Sequence, residues 1–324
     1  MTDERERGEV FVEAPARLHF GVLDLRGALG RWFGGIGAAA PEPTLLLSAR
    51  PGPTLDVEGP DADRAGTFAR AFLAHHKLHA GARISIHRAL PLHAGLGSGT
   101  QLALAVARAI AELQRLPTNA AALAGAVGRA QRSAIGTWTF DGGGLVVEGG
   151  RRSDTNRVGP LIARIAFPSS WWCVVAVPRQ PPAISGADEA AALAALPPPP
   201  EREVEHVAHL VVMALLPALA DADLADFGRA LTAIQTTTGN WFASVQGGAF
   251  ARGASEELVR RMAEQGAIGV GQSSWGPTVY GIVDGETAGA RLADAARAAL
   301  ERCGGGAVYG GPFRTTGARV WRAV

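Results

Sequence analysis

A chain of 324 residues with 47% hydrophobic content has enough apolar material to bury two domain cores of ordinary size. Its formal net charge of +1 provides no basic field to gather nucleic acid or an anionic membrane, so neither is an expected partner. The charged start MTDERERGEV has no signal-like apolar stretch behind it, no run reads as the roughly 20 apolar residues of a membrane helix, and Cys173 and Cys303 match no metal-ligand spacing; the expectation is a soluble protein of a reducing cytoplasm.

In chain order, EVFVEAPARLHFGVLDL alternates as a strand or hairpin, and GRWFGGIGAAAP, rich in glycine, is expected to turn. TLLLSAR, TLDVEG and ARISIHRAL read as short strands, with RAGTFARAFLAHHKL as a helix among them. PLHAGLGSGTQLALAVARAIAEL then moves from a glycine-rich turn into a long helix that Pro117 stops near Leu116. Thr118 is the expected cap of a helix over NAAALAGAVGRAQR, followed by strands at GGGLVVEGG and WWCVVAVP. PPAISGADEAAALAALPPPPERE is the most linker-like stretch, and 181–200 is its linker-like segment. Beyond it come two helices, EVEHVAHLVVMALLPALA and LADFGRALTAIQTTT, and then a strand, helix, strand pattern from GAIGVGQSSWG to GAVYGGPF that fits an α+β sandwich. Trp32, Trp138 and Trp241 read as core residues, and His75, His76 and His79 as surface residues with no acidic partner nearby.

The chemistry concentrates in GLGSGTQ, residues Gly95, Leu96, Gly97, Ser98, Gly99, Thr100 and Gln101. A helix start leaves its first N–H groups without intrahelical partners and is partly positive. Glycines let backbone approach an anion closely, and the Ser98 and Thr100 hydroxyls can cap the helix or bond a phosphate oxygen. The stretch is a phosphate cradle without the lysine of GxxxxGK[ST]. Upstream, Arg17 and His19 share a strand face, and Asp24, Arg26 and Arg31 follow within fifteen residues. Arginines in such a cluster can hold phosphate or carboxylate bidentately.

PLHAGLGSGTQLALA resembles the PxxxGLGSSA motif of the galactokinase, homoserine kinase, mevalonate kinase and phosphomevalonate kinase superfamily. APARLHFG and GAIGVGQSSWGPTVYGIV resemble its first and third motifs. The resemblance implies a two-domain α+β fold, with an N-terminal α/β half over 1–165 that binds phosphate and a C-terminal ferredoxin-like sandwich over 166–324. ARLHFGVLDL, RWFGGIG, GLGSGTQLALAVARAI, RSAIGTWTFDGGGLVVEGG and GQSSWGPTVYGIV further resemble the β-ribofuranosylaminobenzene 5′-phosphate synthases. That branch implies a decarboxylating condensation of phosphoribosyl pyrophosphate with 4-aminobenzoate, or 4-hydroxybenzoate in some members, in tetrahydromethanopterin synthesis. Mg2+ as cofactor and a homodimer are implied with it.

Where the kinases carry an SGxD-like stretch, this chain has Ser133-Ala134-Ile135-Gly136, and Asp141 comes five residues later. A kinase would therefore lack its base at that offset. A small-molecule kinase and a non-catalytic binding protein stand as the alternatives. Arg17, His19, Asp24 and Asp141 are the candidate catalytic residues, with Glu148 a third carboxylate. Asp24 and Asp141 are the candidate Mg2+ ligands, since Mg2+ takes few protein carboxylates beside substrate phosphates. Residues 95–101, Arg26, Arg31, Gln272, Ser273, Ser274 and Trp275 are the candidate substrate-binding set, with Trp275 a stacking surface for the aromatic ring.

Overall fold

The computed structural model describes residues 8–155, 157–179 and 186–323. β1 (Val10–Asp24) and β2 (Arg31–Gly52) form a long antiparallel hairpin. After it come β3 (Asp56–Glu58), α1 (Ala62–His75), β4 (Gly81–Arg88), α2 (Ser98–Gln114), α3 (Ala120–Ala126), α4 (Ile135–Gly142), β5 (Leu145–Glu148), β6 (Arg151–Arg152) and β7 (Leu161–Ile165). The second half begins with β8 (Trp171–Pro178), α5 (Gly186–Ala195) and α6 (Glu201–Leu210). A π-helical turn (Val211–Leu215) joins α6 to α7 (Leu216–Ala220), followed by α8 (Leu224–Trp241), α9 (Ala243–Gln246) and α10 (Ala254–Glu264). β9 (Gly269–Gln272), β10 (Val279–Asp284), α11 (Glu286–Arg302), β11 (Gly306–Pro312) and β12 (Arg319–Arg322) complete the chain.

Two sheets organise these elements into an α+β fold. The first runs β12-β1-β2-β4-β3, with β5 on the first part of β2 and β7 beyond it. The second, β11-β8-β10-β9, is antiparallel throughout and packs against α10 and α11. The chain changes sheet between Ile165 and Trp171, and its last strand crosses back to pair with β1. Helix α8 packs on both β1 and β9. The Phe20 ring of β1 lies 4.8 Å from that of Tyr280 in β10, so one apolar core runs through both halves.

The structure corrects several sequence expectations. RWFGGIGAAAP does not turn: it is the first half of β2, and the reversal falls at residues 25–30. Asp24 Oδ1 accepts from the N–H groups of Arg26 and Gly27 there, and Gly30 N–H donates to the Gly27 carbonyl. Glycine inside β2 serves close packing instead: a Cβ on Gly37 would stand 2.5 Å from Ile135 of α4. Asn119, not Thr118, caps α3, its side chain accepting from Ala122 N–H at 3.0 Å. That helix ends at Ala126, well short of Arg132.

The linker-like segment contains α5, and 181–185 lie outside the described residues. Helix α4 falls where no element was expected, in a short stretch containing threonines and glycines. The helical run Glu201–Ala220 is long and apolar enough to cross a membrane, with mean hydropathy 1.5. Here it lays Val207, Val211, Leu215 and Leu219 into the core and leaves Val212 and Met213 exposed.

Candidate active site at the head of α2

The cradle is built by fixing a glycine turn between two strands. Gly97, at φ 73°, is the N-cap of α2, and no side chain caps the helix. Ser98 and Thr100 therefore leave the first amides of the helix open to an incoming anion, contrary to the capping role open to them in the sequence. Arg17 N–H donates to the Leu96 carbonyl at 3.0 Å, and the Arg17 guanidinium donates to the Gly95 carbonyl. The turn between β9 and β10 clamps the loop from the other side. Ser273 Oγ donates to Gly95 O at 2.6 Å while accepting from His19 N–H at 2.9 Å. One hydroxyl thus ties β1, the glycine loop and the second sheet together.

Both register shifts in the β1–β2 ladder, Pro15 to Arg17 and His19 to Gly21, flank this point. Such irregularities re-aim side chains locally, and here they bring Arg17 and His19 to the loop. Enclosure by the protein, and secondly the Arg17 charge, push the His19 imidazole down to about 3. It is neutral at ordinary pH. His19 lines a cavity of about 70 Å³ together with Gln235, Gln246, Gln272, Ser274 and Trp275. Gln272 is the hub of that wall: its N–H donates to Gln235, its Oε1 accepts from Ala251 N–H, and its Nε2 reaches Gln246 and Ser274. Trp275 meets Phe242 edge-on at 4.9 Å. Among the described residues lining the cavity, none is acidic or basic apart from this neutral histidine.

Arg17, His19, Gly95, Leu96, Gly97, Ser98, Gly99, Thr100, Gln272, Ser273, Ser274 and Trp275 are thereby gathered around one place. The remaining sequence candidates are not. Gln101 is buried, and its Nε2 donates to the Gly136 carbonyl at 2.9 Å, tying α2 to α4. Arg26 donates to Pro199 O and Arg31 to Gly150 O. Asp24 holds the β1–β2 turn, and Asp141 pairs with Arg164 at 2.9 Å.

Asp24 lies opposite Phe33 on β2, whereas Leu145, just after Asp141, lies opposite Ala38. Five residues of strand, about 16 Å, separate those levels. Both carboxylates are engaged within the protein, Asp24 by turn amides and Asp141 by Arg164. Among the described residues no three of His, Cys, Asp and Glu gather into a metal cluster. Glu148 is buried opposite Gly35, its carboxylate accepting from Ala134 and Gly150 N–H groups. Burial outweighs those bonds and raises its pKa to about 7.

Sequence reasoning missed Gln235, which sits in the amphipathic helix α8, and Gln246, the last residue of the short α9. It also missed Arg64 of α1 and Arg129 beyond α3. A Cβ on Gly99 would stand 2.7 Å from Arg64 Nη2 and 3.0 Å from Arg129 Nη2. Only the fold brings those two arginines to the head of α2.

This arrangement matches known proteins along most of its length. The model of the GHMP kinases N terminal domain matches residues 64–141, and that of the GHMP kinases C terminal domain matches 215–302. A β-ribofuranosylphenol 5′-phosphate synthase of Methanothermobacter thermautotrophicus is 32% identical over 87% of this chain and 92% of its own. The synthase of that name from Archaeoglobus fulgidus is 35% identical over 86% and 89%. The chain belongs to the GHMP kinase family, in its β-ribofuranosylphenol 5′-phosphate synthase branch. Among solved structures, homoserine kinase from Cytophaga hutchinsonii superposes with a TM-score of 0.69 over 98% of both chains at 16% identity. L. major mevalonate kinase gives 0.65 over 93% and 95% at 18% identity. Likeness at that identity speaks for the fold, and the two-domain α+β expectation holds.

Proposed function

We propose that this member of the GHMP family is a synthase that joins phosphoribosyl pyrophosphate to the ring of a 4-substituted benzoate and releases CO2 and pyrophosphate. The observation that carries the reading is the pairing of an anion cradle at Ser98 and Gly99 with an adjoining cavity whose described lining is uncharged. In the proposed reaction the ring carbon bearing the carboxylate attacks C1 of the ribose. The C1–O bond breaks, and its electrons leave with pyrophosphate. The bond to the carboxylate then breaks as CO2 departs, and its electrons restore the aromatic ring. No proton is taken from the ring carbon, so a cavity held by glutamines and a neutral imidazole suffices. A kinase acting on a hydroxyl would call for a base instead.

The chain's contribution is positioning and charge stabilisation. Backbone amides at the head of α2 and Arg17 hold the departing phosphates. His19 and Gln272 orient the aromatic acid as neutral donors or acceptors, and Trp275 offers a face to its ring. The relatives' names specify a phenol product, which favours 4-hydroxybenzoate over 4-aminobenzoate as the acceptor. Incubation with phosphoribosyl pyrophosphate and carboxyl-labelled 4-hydroxybenzoate tests this. Labelled CO2 and pyrophosphate are expected in equal amounts. Formation of ADP from ATP and an alcohol acceptor, with no labelled CO2, would overturn it.

A further inference from the structure

We infer that Arg64 and Arg129 are positioning residues for a diphosphate group, forming the outer half of an anion site whose inner half is Arg17 and the first amides of α2. The inference rests on the synthase reading for its substrate but on separate residues for its geometry. Arg64 comes from the first turn of α1, and Arg129 from the segment between α3 and α4. Their Nη2 atoms stand 2.7 and 3.0 Å from the place a Gly99 Cβ would occupy, within reach of one diphosphate. Two guanidinium groups brought this close repel each other in the free protein unless an anion joins them.

The surroundings hold the arginines in place without neutralising both. Asp61 Oδ2 accepts from Arg64 Nη1 at 3.0 Å, leaving Nη2 directed at the helix head. Arg129 stacks over Phe68 at 4.7 Å, and its Nε is buried with no hydrogen-bond partner. Burial and the Arg64 charge both work against its protonated form. On the other side of the helix start, Arg17 Cγ lies 2.7 Å from a Cβ position on Gly97. A diphosphate laid across the first turn has one phosphate toward Arg17 and the other between Arg64 and Arg129. The carbon it leaves is then on the cavity side, where the aromatic acid attacks. Guanidinium groups suit this task because they bind phosphate oxygens in pairs and stay charged.

Calorimetric titration with inorganic pyrophosphate tests the site without any turnover. Arg64→Met and Arg129→Met are each expected to weaken pyrophosphate binding at least tenfold, while ribose 5-phosphate binding stays within about twofold. Arg129→Lys, which keeps the charge, is expected to retain part of the affinity. Relief of the like-charge contact should leave the melting temperature of both methionine variants at or above that of the wild type. Unchanged pyrophosphate affinity, equal loss for ribose 5-phosphate, or a clear fall in melting temperature would each overturn the inference. Pyrophosphate binding lost with these arginines in a protein that releases no CO2 would uphold the site and reject the synthase reading. Turnover with affinity unaltered in the variants would do the reverse.

Discussion

At the scale of single residues, two enclosed titratable groups act in opposite directions. His19 is held at about 3 against an ordinary 6.5, so the folded state favours its neutral form. Its contribution to stability is complete above pH 6.5 and is lost as pH falls from there toward 3, at about 1.4 kcal/mol per pH unit where steepest. Urea unfolding of His19→Asn across that range should show a shallower acid loss than the wild type. Glu148, raised from 4.5 to about 7, favours its protonated form in the fold. Its contribution is complete below pH 4.5 and disappears as pH rises through 7, about 3 kcal/mol in all. Glu148→Gln should remove that slope, measured as the difference between the two unfolding profiles.

Ser273 is a third test at this scale, because its hydroxyl serves both His19 N–H and Gly95 O. Ser273→Ala should cost about 1–3 kcal/mol of stability and lower kcat together with it, read from unfolding and steady-state rates. Arg17, His19 and the loop glycines were legible because they stand in short contiguous motifs whose chemistry shows in the residues themselves. Arg64 and Arg129 were not, since one sits in an unremarkable helix and the other in the connection after α3, and each acquires meaning only beside Gly99. Asp24 and Asp141 were legible as carboxylates, whereas the turn amides and the arginine they engage were not. An aspartate that ties a turn and one that pairs with a distant arginine look, in sequence, like carboxylates awaiting a metal.

At the scale of elements, the decisive feature is a helix whose start is capped by a glycine and by no side chain. Gly97 is at positive φ, and a Cβ there would press on Arg17. Gly97→Ala should therefore cost roughly 1–2 kcal/mol in the left-handed conformation and, by displacing Arg17, weaken pyrophosphate binding at least tenfold. Thermal unfolding and the titration described above measure the two effects separately. Long periodic segments such as α2, α8 and α11 were legible from their apolar spacing. The first half of β2 was not, because its glycines answer to the helix that packs on them rather than to a turn. Helix α4 was hidden by its shortness, and tertiary packing on β1, β2 and β5 supplies what its propensity lacks.

At the scale of the whole molecule, the site exists because two sheets meet at α8 and at the Phe20–Tyr280 contact. The first sheet contributes Arg17 and His19, the second contributes Gln272 and Ser273, and the glycine loop is pinned between them. The order of motifs along the chain announced that two-part plan, whereas the return of β12 to β1 depends on long-range pairing that no local pattern encodes. The uncharged cavity beside the cradle is a property of the assembled molecule, and the proposed ipso attack with loss of CO2 rests on it. The most direct measurement is a crystal structure of the protein soaked with phosphoribosyl pyrophosphate. The predicted result is diphosphate density across the amides of Ser98 and Gly99 with the ribose C1 facing His19 and Gln272; a sugar bound away from Gly97, or turned with its C1 away from that cavity, would contradict it.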